Sequence, residues 1–301
     1  VMERTWRPRR PVDVVATLAA HQRGPYDPAF QLDARGRVWR TCRPGGEPAT
    51  VCVTAARGDV TARAWGPGAE AALDAVPQWL GDADDPAGFR PRHPVLADAV
   101  RRFPGTVVGR TGLAMEALVP AVLEQKVTGT EAYRGWMRLL RTFGEPAPGP
   151  APARMRVVPS PEVWARIPSW EYHRAGVGPQ RSRTIVTAGR HVARLEEISG
   201  LATDDADRRL RAVPGIGVWT SAEVRQRVLG DADAVSVGDY GLPHVVAYAL
   251  TGERRGSDEL MLELLEPYRG HRHRACLLLM RAGPLPPRRG PRAPVRDYRS
   301  M

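Results

Sequence analysis

The sequence predicts a small α+β module followed by a larger, mostly α-helical domain. Three observations carry this prediction. Within the first 90 residues, three short runs of β-branched and aromatic residues are punctuated by glycines. From about Val95 onward, apolar residues recur at helical spacing instead. Between the two, residues 81–94 are rich in Asp, Gly and Pro and read as a linker or crossing loop. A chain of 301 residues, 43% apolar, has room and material for such cores.

Residues 12–20 read as a short helix. Strands are expected at 37–42, 49–54 and 60–65, set apart by Gly36, the Gly45–Gly46 pair and Gly58. A helix at 69–80 follows, with Leu73, Val76 and Leu80 on one face. These elements make up the α+β domain, residues 1–90. The helical domain spans 91–282. Its stretch 113–129 is apolar and helix-like but contains Pro120, so one helix either kinks there or begins there. Tyr133, Trp136, Met137, Leu140 and Phe143 form a second stripe, stopped by Gly144. EPAPGPAPAR, 145–154, reads as a low-complexity loop. Helices are expected near 160–167, 179–198, 206–212, 218–229, 241–251, 257–266 and 271–281, followed by a flexible basic, proline-rich tail at 283–301. No internal repeat is evident.

The formal charge is +11, which suggests a polyanionic partner, although heavy use of Arg, Ala, Gly and Pro also reflects a GC-rich genome. Among the 44 basic residues Lys126 is the only lysine. Three cysteines without a CxxC pair exclude a four-cysteine zinc or iron–sulfur site, and no other metal or cofactor is expected. His271 and His273, two apart on a helix, point to different faces and do not make a metal pair. The opening RPRRPVDVVATLAA is too short and too interrupted by Asp13 for a secretory leader, and no stretch approaches a membrane span. A soluble, cytoplasmic protein is the expectation.

VPGIGVWT, residues 213–220, joins two amphipathic helices through a narrow glycine turn. Gly215 and Gly217 permit backbone angles and close approach that a Cβ hinders. The helix that follows begins with free amide groups, which suit a phosphate without reading a base. Thr220 adds a hydroxyl, and Arg225 or Arg227 a longer-range attraction. A plain helical turn is the competing reading. About twenty residues on, SVGDYGLP carries one carboxylate, Asp239, between glycines. It is equally suited to cap the helix after Gly241 or to act chemically.

LRAVPGIGVWTSAEV followed by AVSVGDYGLP resembles the helix-hairpin-helix superfamily of DNA base-excision glycosylases. Within it the sequence is most similar to the bacterial alkyladenine type. ALVPAVLEQKVTGTEA and YRGHRHRACLLLM resemble further stretches of that family, so that the likeness covers about residues 10–282. The resemblance implies an N-terminal domain like half of a TATA-binding protein, then the helical glycosylase domain. It implies monofunctional hydrolysis of the N-glycosidic bond of alkylated purines flipped out of duplex DNA, by a monomer without an obligate protein partner. Asp239 matches the family's acid. Trp219 matches an aromatic beside the base pocket, and Tyr240, Trp170, Tyr172 and Met280 are further pocket candidates. Gln125 and Lys126, in EQKV, lie near the residue that fills the gap left by the flipped nucleotide. The lysine that lyase relatives carry after the hairpin is absent, since Val218 and Trp219 stand there. Pro120, Glu124 and Met280 depart from the family's usual residues. A damaged-DNA-binding protein that uses Asp239 only as a cap is the competing reading.

Overall fold

The computed structural model describes residues 1–287. The predicted tail, 283–301, therefore lies outside the described residues from 288 on.

The N-terminal module is one antiparallel sheet of five strands. In chain order these are β1 (Met2–Trp6), β2 (Phe30–Leu32), β3 (Val38–Cys42), β4 (Ala49–Ala56) and β5 (Asp59–Trp65), arranged β1-β5-β4-β3-β2. The three predicted strands form its centre. The sequence reading missed both edges: β2 has only three residues, and β1 is exposed at four of its five positions, so neither shows a buried run. Helices α1 (Val14–Ala19) and α2 (Ala69–Trp79) cover one face, where Leu18, Leu73 and Val76 meet Val38, Val51, Val53 and Ala62. Alternation places Trp39, Cys52 and Trp65 on the other face. The two indoles stack there at 5.7 Å. They are covered by the stretch 145–154, which has no helix or strand beyond β6 (Glu145–Pro146) at its start, and β6 pairs with β7 (Arg156–Val157) just after the stretch. Met155, Ala147 and Ala151 close this small core, and Thr41 Oγ1 donates to the Arg156 carbonyl at 2.6 Å. Proline and alanine thus form a strap over tryptophans that the open face of the sheet alone leaves uncovered.

The helical region has two further cores. Helix α3 (Pro94–Arg102) belongs with the C-terminal helices, as described below. Helix α4 (Ala114–Leu123) is the axis of the larger core, with all residues except Glu116 buried. It runs through Pro120 as one helix but ends at Leu123, short of the predicted 129. Around it pack α5 (Gly129–Phe143), α6 (Pro161–Arg166), α7 (Ser169–Arg174), α8 (Pro179–Arg190), α9 (Val192–Glu196), α10 (Thr203–Arg211) and α11 (Val218–Val228). Thr128 and Glu131 form a capping box at the start of α5, a signature present in TGTE. The predicted helix 179–198 breaks at His191, whose φ of −109° and ψ of 22° depart from helix geometry. The smaller core joins α3 to α12 (Leu242–Thr251), α13 (Asp258–Leu265) and α14 (Arg272–Ala282) through Leu96, Val246, Met261, Leu265, Tyr268 and Leu279.

The stretch expected to be a linker is held tightly. Asp84 and Arg274 form an ion pair with side chains 2% and 3% exposed, and Asp84 also accepts from the Val108 amide at 3.1 Å. Among the described residues, no helix is long and apolar enough to cross a membrane.

Candidate active site

Leu210, Val213 and Ile216 anchor one side of the hairpin in the large core, and Val224 and Val228 anchor the other. The two glycines between them have different reasons. Gly215 has φ +90°, and a Cβ there would run into Thr184 Oγ1, so the fold itself demands glycine. At Gly217 a Cβ would meet nothing within 4 Å. That glycine leaves open space outside the protein, in front of the first amides of α11. Gly217 is the N-cap residue of α11, and no side chain caps it. The amides of this first turn therefore face outward without an intrahelical partner.

Gln125 joins this hairpin to the end of α4. Its Nε2 donates to the Gly215 carbonyl at 2.9 Å and to Thr220 Oγ1 at 2.8 Å. The next residue, Lys126, is exposed and has φ 54°, an uncommon backbone for a non-glycine residue. The tight turn between α4 and α5 thus projects Lys126 beside the glycine hairpin.

The chain leaves α11 through 229–241 and brings Asp239 back to it. Asp239 Oδ1 accepts from the amides of Gly241 and Leu242, both at 2.8 Å, and caps α12. Its Oδ2 accepts from Trp219 Nε1 at 3.1 Å. The loop is fixed from outside as well, where the Gly238 amide, at φ +89°, donates to the Asp258 carboxylate at 3.0 Å. Capping and a directed carboxylate are therefore both present in one residue.

Asp239 lines a cavity of about 680 Å³ between α1, α11, α12 and α14. Its wall includes His21, Glu223, Gln226, Ser236, His273 and Met280. Burial holds the His21 imidazole well below its usual range, with Arg40, Arg227 and Arg23 adding to the effect. Burial likewise lowers His273 to about 4, so both rings are neutral near pH 7. Burial by itself raises the Glu223 carboxyl, but Arg227 at 2.8 Å and the Ser236 hydroxyl at 2.5 Å outweigh it and hold the group ionised below the usual carboxylate range. Sequence reasoning missed Glu223, His21 and the cavity side of His273. The one available signal was the Trp219–Glu223 spacing of four, which puts both on the same helix face.

The candidates from the sequence divide. Asp239, Trp219 and Met280 come together at or beside the cavity, and Gly217 and Lys126 face outward near the hairpin. The others need correction. Tyr240 is 95% exposed and is not one of the residues that line the cavity. Trp170 is 62% exposed on α7, while Tyr172 is fully buried and donates to the Trp164 carbonyl, so neither lines the site. Thr220 is 2% exposed and holds Gln125 rather than a phosphate. Gln125 braces the hairpin from within. Arg225 is engaged by Asp231 and Asp207 and is not a free cation. Glu124, one of the departures, is paired with Arg23 at 3.4 Å, and burial raises its carboxyl.

No family model matches the chain. Over 154 residues it is 34% identical to the "Probable bifunctional transcriptional activator/DNA repair enzyme AlkA" of Mycobacterium tuberculosis, a match covering 50% of this chain and 30% of that protein. It is 26% identical over 193 residues to the "DNA-3-methyladenine glycosylase" of Bacillus subtilis, covering 62% of this chain and 63% of the relative. The chain thus spans less than two thirds of the length of either. In fold it is similar to MBOgg1, solved with a low-affinity DNA ligand, with a TM-score of 0.73, 15% identity and coverage of 93% and 94% of the two chains. It is also similar to the 3-methyladenine DNA-glycosylase from Archaeoglobus fulgidus, with a TM-score of 0.72, 17% identity and coverage of 92% and 97%.

Proposed function

We propose that this chain, which has the fold of the helix-hairpin-helix DNA glycosylase superfamily, hydrolyses the N-glycosidic bond of alkylated purines in duplex DNA. The observation that carries the reading is the Asp239 carboxylate, fixed by three hydrogen bonds in the wall of a cavity large enough for an extruded base and joined through Trp219 to the hairpin helix.

The chemistry follows from that placement. The hairpin amides and the outward space at Gly217 take the phosphate backbone, which sets register without reading sequence. Lys126 occupies the gap in the stack with its stem and offers its amine to the backbone. The extruded base enters the cavity. As the bond to the base stretches, positive charge grows on the sugar, and the fixed carboxylate stabilises it without having to reorganise. An alkylated purine that already carries positive charge leaves without much acid assistance. The two neutral imidazoles are consistent with that, because neither is a strong proton donor near pH 7. Val218 and Trp219 stand about where a Schiff-base lysine would be needed, and neither is an amine, so water is the nucleophile and the strand stays intact.

Duplex DNA carrying alkylated purines, incubated with the protein, is the test. Free 3-methyladenine or 7-methylguanine is expected, with the strand breaking only after later alkaline treatment. Binding of such DNA with no base released would instead favour a damage-binding role, and a borohydride-trapped adduct through Lys126 would overturn the hydrolytic route.

A further inference from the structure

Among the described residues that line the cavity, the only rings are the imidazoles of His21 and His273, and the remaining polar groups belong to Glu223, Gln226, Arg227, Ser236, Asp239, Arg281 and two threonines. Stacking on a broad aromatic wall is therefore not how this cavity distinguishes its occupant. Glu223 projects from the middle of α11, one turn beyond Trp219, and its side chain is 13% exposed. Its oxygens are held by neighbours that line the same cavity. Oε2 meets Arg227 at 2.8 Å, and Oε1 accepts from Ser236, whose hydroxyl in turn accepts from Gln226 Nε2 at 2.9 Å. A carboxylate has about four lone-pair directions, and these partners use two of them. Glu223 itself lines the cavity and is fixed in place by these bonds, with acceptor capacity to spare. Asp239 has a separate task.

We propose that Glu223 is the specificity-determining residue of this cavity, accepting a hydrogen bond from an exocyclic amine of the extruded purine. The proposal rests on the glycosylase reading and deepens it, since it names what the site reads. An acceptor-only group rewards an N–H on the base edge. It penalises a base whose edge presents only acceptors, because two lone pairs then face each other in a partly dry site. Amino-bearing lesions such as 3-methyladenine and 7-methylguanine fit. Ethenoadenine, whose bridged ring removes the amine, does not.

The test compares single-turnover release of 3-methyladenine and ethenoadenine from matched duplexes by the parent and by Glu223→Gln, with free-base binding measured by calorimetry in parallel. Glutamine keeps the shape but turns half of the acceptor into a donor. The parent is expected to favour 3-methyladenine in both measurements. E223Q is expected to lower that preference about 10-fold, the scale of one charge-assisted hydrogen bond. A preference unchanged in E223Q, or both lesions slowed alike, would make Glu223 a structural partner of Arg227 and overturn the inference alone. Neither release nor binding of either base by the folded parent would overturn the glycosylase reading itself, and the inference with it. Glu223→Asp, which retains an acceptor, serves as a second variant and is expected to recover part of the preference.

Discussion

The two oxygens of Asp239 face different tasks. One caps α12 and the other meets the Trp219 indole. Trp219→Phe keeps the ring and removes the donor. It is expected to leave the fold intact and slow base release about 10-fold, the scale of a hydrogen bond to a charged group, and single-turnover rates check it. His273 provides a test by pH. Its proton is bound in the unfolded chain below about 6.5 but in the fold only below about 4. Between those values the unfolded state binds more protons, so stability falls as pH drops through that window. The loss is expected to be up to about 3 kcal/mol, and thermal melts from pH 7 to 4 should be flatter for His273→Gln. At this scale Asp239 was legible because a glycine hairpin and a following acid form a joint pattern. Glu223 and His21 were not. The first looks like any polar position on a helix, and the second reaches the cavity from the other end of the chain.

The hairpin is an element whose two glycines make opposite predictions. Gly215→Ala forces a side chain onto Thr184 in a left-handed backbone and is expected to destabilise the protein by several kcal/mol, on the order of a backbone strain plus an overpacked contact. Gly217→Val has no protein atom within 4 Å of the added Cβ and should melt like the parent. It should nevertheless bind duplex DNA more weakly across unrelated sequences, as measured by fluorescence anisotropy. Equal DNA affinity in a folded Gly217→Val would remove the hairpin from the interface. Most helix positions were legible from apolar spacing, though not α3 or the short α7, and the hairpin core residues fell where expected. Strands β1 and β2 were hidden because edge strands need little buried surface. The proline-rich stretch is largely the loop its composition implied, but its packing was hidden because that packing comes from Trp39 and Trp65, far away in sequence.

At the scale of the molecule, fewer of the 44 basic residues are free than the count suggests. Arg225, Arg227, Arg272 and Arg274 are all engaged by carboxylates around the site. DNA affinity should still fall linearly with salt on logarithmic axes, by about 0.9 per phosphate neutralised. Replacing Arg225 by Gln should change that slope little, which titration at several salt concentrations would check. The buried Asp84–Arg274 pair ties the stretch after the sheet module to α14. Asp84→Ala leaves a buried guanidinium unpaired and is expected to cost about 3–5 kcal/mol in denaturant unfolding. Composition signalled a linker there, and nothing local revealed that its acid is claimed by an arginine 190 residues away.

The central claim is that Asp239 provides the charge that makes base release possible, beyond capping a helix. The measurement that tests it most directly is single-turnover release of 3-methyladenine or 7-methylguanine by Asp239→Asn. The amide oxygen of Asn can still cap Gly241 and Leu242, while its nitrogen faces the Trp219 donor and its negative charge is gone. The account predicts a folded protein with DNA affinity near the parent's and a release rate lower by ~10²–10³. Release at the parent's rate would contradict it and leave Asp239 as a cap alone.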